Sequence, residues 1–145
     1  MSQRIGRLCD ELRIKLHGMD RRLEALKSNG AATFDQSQDL LESQLDRVEQ
    51  RIYDNRVVVE AANVRVKTWL AERKAGSVAG REPWTERHKA HRLEARADDA
   101  EEYAIAVFEL AAAAADEAAL AILQALLARS DADAAALPEA ELGAP

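Results

Sequence analysis

The sequence predicts an all-α fold, an elongated antiparallel helical hairpin or three-helix coiled-coil bundle. Three observations predict it. Apolar residues recur at alternating steps of three and four over long stretches, the period of a helix face and not of a strand. Turn formers are scarce, with six Gly and three Pro in 145 residues; a β-sandwich needs a turn signal about every 8–12 residues. Apolar residues make up 48% of the chain and aromatics only 4%, which excludes both disorder and an aromatic-rich strand core. Cys9 is the single cysteine, so a disulfide scaffold is excluded as well.

The first helix is expected over residues 3–28. Its seam is Ile5, Leu8, Leu12, Leu16, Met19, Leu23 and Leu26. Gly18 weakens it modestly, and Asn29-Gly30 is a stop signal. The second helix is expected over 34–75. Thr33 and Gln36 have the capping-box spacing, with Asp35 favourable at a helix start. Its seam, Leu41, Leu45, Val48, Ile52, Asn55, Val59, Ala62, Val66 and Trp69, alternates four and three without a break. Gly76 and Gly80 are expected to end it. The third helix is expected over 83–129, opening on Pro83, a residue suited to a first helical position. Trp84 to Asp99 is charged, whereas Tyr103 to Ala128 is apolar nearly all round. The acids Glu102, Glu109 and Asp116 fall on one line, expected as the solvated face of this helix. Residues 1–130 thus read as a single helical domain, and 131–145 as an acidic disordered tail.

Short connections make neighbouring helices antiparallel. Folding the second and third helices about Val78-Ala79 sets Val66 near Leu93, Ile52 near Val107 and Leu45 near Ala114. Folding the first helix about Ala31 sets Leu23 near Leu41, Leu16 near Val48 and Ile5 near Val59. Ala100, Ala104, Ala111, Ala114 and Ala118 have heptad-like spacing and are expected to let helices approach closely. Leu120, Leu123 and Leu127 are expected to remain exposed and to support self-association. Asn55 either fixes register, as polar seam residues do in coiled coils, or points partly to solvent beside Ala104.

Charge is segregated. The net charge is −6, yet residues 64–97 carry nine Lys and Arg against four acids, while 98–145 carry Arg129 against eleven acids. In the hairpin the basic part is the tip. Its candidate partner-binding residues are Arg65, Lys67, Trp69, Arg73, Lys74, Arg81, Trp84, Arg87, Lys89 and Arg92. Cations interleaved with tryptophans suit nucleic-acid phosphates, an anionic surface or an acidic protein. The plainer account is a solvated coiled-coil end. An acidic final third repels nucleic acid at longer range, so an acidic protein, or the acidic end of another copy, fits the tip at least as well.

Catalytic chemistry finds no pattern. His88 and His91 are three apart on one helix, but no Glu-x-x-His occurs, the spacing a di-metal bundle uses. Gly76-Ser-Val-Ala-Gly80 lacks the Gly-Lys-Ser/Thr ending of a nucleotide loop. No nucleophile–His–acid grouping is recognisable, and Cys9 has no basic cluster beside it in sequence. The expectation is no enzyme, no cofactor and no metal. The stretch from Tyr103 to Ala128 is long enough to span a bilayer, but its Glu109, Asp116 and Glu117 argue against that. No apolar leader follows Met1, so a cytoplasmic protein is expected.

The heptads of Leu41–Trp69 and the Arg/Glu/Ala-rich run from His91 to Tyr103 resemble small bacterial coiled-coil proteins, some of them described as stress-associated. The resemblance carries no chemical motif and implies no site residues. The expected role is a non-catalytic structural or interaction protein that is a homo-oligomer and binds a partner protein. The alternatives are a nucleic-acid or anionic-surface binder acting through the basic tip, and a metal-binding bundle.

Overall fold

The computed structural model describes residues 2–29, 34–79 and 86–142. Three helices pack as an all-α bundle: α1 (Gln3–Asn29), α2 (Phe34–Ala79) and α3 (Glu86–Leu142). The described residues include no strand. Thr33, Gly30, Gly80 and Pro83, invoked above as cap, stops and helix start, lie outside the described residues.

Helix ends differ from expectation in two places. α2 runs through Gly76 to Ala79. One glycine in a helix interior costs only about 1 kcal/mol relative to alanine, too little to stop a long helix. α3 runs on to Leu142, where a disordered tail was expected from 131. Between Asp131 and Leu137 stand four alanines and no glycine, and alanine has the highest helix propensity. At the other end of the chain, Ser2 caps α1. Its hydroxyl Oγ accepts from the Ile5 amide at 3.1 Å, and its carbonyl accepts from the Gly6 amide at 3.0 Å, which satisfies donors that a helix start otherwise leaves open.

The helices build two compact units where the sequence suggests one domain. Unit 1 comprises Met1–Lys15 and Asn55–Ala113, and unit 2 comprises Leu16–Asp54 and Ala114–Pro145. The late part of α2 thus shares a unit with the early part of α3, and the reverse, as antiparallel neighbours do.

In unit 1 the fully covered side chains are small: Ala62 is 1% exposed and Ala106 0%. Val59, Val66, Trp69, Tyr103, Ile5 and Leu8 are half-buried around them. Unit 2 has a conventional aliphatic core of Leu26, Leu41, Val48 and Leu123. Leu45, Ile52, Ala119, Leu120, Leu126 and Leu127 pack at its margin.

The α2 seam faces inward at every position except Asn55, which is exposed. Of the two roles open to Asn55, a buried register contact within the chain is thereby overturned. α1 departs further. Leu12, Leu16 and Leu23 of its expected seam are 41%, 53% and 47% exposed. Arg22, one position before Leu23, is half-buried and reaches Asp116 in unit 2, and the exposed Lys15 lies over the Phe108 ring in unit 1 (4.9 Å to its centroid). Ile5, Leu8, Met19 and Leu26 of the seam are covered or half-buried, so α1 turns only part of its expected seam inward.

The α2–α3 register is displaced as well. Arg65 pairs with Glu102 in unit 1 and Arg51 with Asp116 in unit 2. Each partner lies eight residues further along α3 than a fold about Val78-Ala79 sets. The displacement follows from α2 continuing to Ala79, which moves the turn later in the chain. Ala100, Ala111, Ala114 and Ala118 are exposed and Ala104 is half-buried, so the expected close-approach face is not the packed one. Leu123 is only 1% exposed, and Leu120 and Leu127 pack against the core. Those three leucines build the interior of unit 2, so their expected role as an exposed association surface is overturned.

Candidate interaction surfaces

The basic segment is less free than its composition suggests. Trp69 is half-buried and stacks on Tyr103, with ring centroids 4.0 Å apart and planes 17° from parallel. Arg73 caps the indole from 5.1 Å, a cation–π contact that holds the guanidinium over the ring face. Arg65 reaches Glu102 at 3.9 Å. Three members of the candidate set thus serve the packing of unit 1. Lys67, Lys74 and Lys89 are exposed, and Arg92 is half-buried. Arg81 and Trp84 lie outside the described residues, and Arg87 is placed in α3 by its backbone alone.

The acid line on α3 is solvated at Glu102, whose side chain is 50% exposed, and departs from a solvated face at Asp116. Asp116 retains only 13% side-chain exposure, and its Oδ1 receives Arg22 Nη1 from α1 and Arg51 Nη2 from α2, both at 3.5 Å. In unit 1 Glu102 receives Arg4 Nη2 at 3.3 Å and Arg65 Nη1 at 3.9 Å. Arg4 also reaches Glu101 at 3.8 Å. Glu109, between these sites along α3, is half-buried. Each unit therefore contains a carboxylate of α3 bracketed by one arginine from α1 and one from α2. A carboxylate largely withdrawn from water requires such compensation. The heptad spacing of the acids was visible in the sequence; their arginine partners lie on other helices, at positions that only the register decides.

Outward-facing apolar surface is extensive, taken unit by unit. Unit 1 exposes Val57 (65%), Val64 (58%) and Leu93 (54%). In unit 2, Ala114, Ala118, Ala121, Ala125 and Ala128 are all exposed along one line of α3, with Ile122 beside them at 39%. Their steps of four, three, four and three are those of a heptad seam.

His88 and His91 are exposed on α3. Among the described residues no group of three or more His, Cys, Asp or Glu side chains is placed to hold a metal ion. Cys9 is exposed. No described helix is long and apolar enough to cross a membrane. No protein-family model matches the chain, and neither a curated protein nor a solved structure matches it.

Proposed function

We propose that the chain is a non-catalytic structural and interaction protein that self-associates and binds a partner protein by helix–helix packing. One observation carries this: the exposed α3 line Ala114, Ala118, Ala121, Ala125 and Ala128 has heptad steps and no charged residue on it. A helix that needs only one buried face carries polar residues on the other. Small residues at seam positions also let a second helix approach closely. This line replaces Leu120, Leu123 and Leu127 as the surface of association.

The test is light scattering behind size exclusion over a range of concentrations, on the unmodified chain and on Ala118→Arg with Ala125→Arg. The unmodified chain should exceed its 16.0 kDa monomer mass as concentration rises, whereas the variant should stay monomeric with unchanged helicity. A monomer at every concentration overturns self-association. Co-purifying protein from the native host tests the partner. Retained nucleic acid whose binding falls steeply with salt would instead favour the basic segment.

A further inference from the structure

In unit 2, α1 is attached more thinly than α2 and α3 are to each other. The core cluster contains four buried side chains, and α1 supplies only Leu26. The six partly buried residues packed around that cluster all come from α2 and α3. On the same stretch of α1, Leu16 and Leu23 are about half exposed. Met19 is half-buried on this stretch, and an ionic tie runs from Arg22 Nη1 to Asp116 Oδ1 at 3.5 Å.

That tie has an unusual partner. The same Oδ1 also takes Arg51 Nη2 from α2 at 3.5 Å. If α1 leaves, Asp116 keeps a guanidinium, so its mostly covered carboxylate is not stranded without a counter-charge. The usual penalty for breaking a buried pair is thereby reduced. Arg22 itself is 40% exposed at its side chain, so water receives it readily and salt screens its attraction to Asp116.

We propose that the Leu16–Asn29 stretch of α1 is a displaceable helix, latched onto unit 2 by Arg22 and Asp116 and released by ionic strength while the α2–α3 packing stays closed. Release uncovers the site that Leu26 occupies beside Leu41, Val48 and Leu123. The arrangement makes α1 the switchable element and Arg51 the residue that keeps the release local.

Amide hydrogen exchange on the full chain tests this at low and high sodium chloride. High salt should speed exchange over residues 19–27 by about fivefold, the upper end for a partly exposed ion pair at about 1 kcal/mol. Residues 41–52 and 117–127 should change by much less. Arg22→Gln should reproduce the acceleration at low salt and abolish its salt dependence. Arg51→Gln should leave α1 protected, because Arg22 still holds Asp116. Equal salt response in all three helices overturns the proposal, as does unchanged exchange in Arg22→Gln. If a variant loses helicity, the salt series on the unmodified chain decides the matter.

Discussion

Trp69 and Tyr103 stack face to face across α2 and α3 with their centroids 4.0 Å apart. The contact joins two of the six aromatic side chains in the molecule and lies within unit 1. Stacked pairs contribute roughly 0.5–1.5 kcal/mol beyond the area they bury. A double-mutant cycle of Trp69→Ala and Tyr103→Ala should therefore show a coupling of about 1 kcal/mol in urea unfolding. Additive losses would mean that the rings do not meet in solution.

Leu123 is 1% exposed at the centre of unit 2. Leu123→Ala removes most of its side chain from a packed site and should cost about 2–5 kcal/mol. Leu137 is 62% exposed on the same helix, and Leu137→Ala should stay within about 0.5 kcal/mol of the parent. Thermal unfolding of the two variants separates a buried Leu123 from a surface one.

Glu102 pairs with Arg4 and Arg65 but is half exposed. Glu102→Gln should cost no more than about 1 kcal/mol at low salt. The difference should shrink in concentrated sodium chloride, because exposed pairs are screened. A loss that persists at high salt would show that hydrogen-bond geometry, and not charge, holds this site.

Gly18 lies inside α1, and a Cβ built there meets nothing within 4 Å. Gly18→Ala removes backbone freedom from the unfolded chain without a clash in the helix. It should stabilise the protein by about 0.5–1 kcal/mol and raise its melting temperature. A fall in melting temperature would mean that a neighbour absent from the monomer approaches this face.

Much of the fold is legible in the sequence. The α2 seam from Leu41 to Trp69 identifies the inward face at eight of nine positions, because an unbroken 3.5-residue period leaves one stripe to bury. α1 was legible as a helix and in part of its inward face, since Ile5, Leu8, Met19 and Leu26 are covered or half-buried while Leu12, Leu16 and Leu23 are exposed. Leucines at 12, 16 and 23 and cations at 15 and 22 compete for one groove, and hydrophobic spacing does not weigh an acid on another helix. The α3 core was not legible from Tyr103 to Ala128. Where nearly every side of a helix is alanine or leucine, no stripe stands out, and Leu123 reads the same as Ile122. The basic segment was legible as a charge cluster. That Arg65, Trp69 and Arg73 are engaged within unit 1 depends on Glu102 and Tyr103, more than thirty residues away in sequence.

By itself the sequence determined three helices, the ends of α1 and the start of α2, the absence of a strand period and the buried face of α2, all set by local propensity and periodicity. Only the tertiary structure decided the α2–α3 register, which part of the α1 seam faces inward and the arginine partners of Glu102 and Asp116. The physical reason is that sliding one heptad helix past another by about seven residues returns the same apolar face to the same groove. Hydrophobic burial is nearly indifferent to that slide. The directional contacts, ionic at Asp116 and aromatic at Trp69, are not.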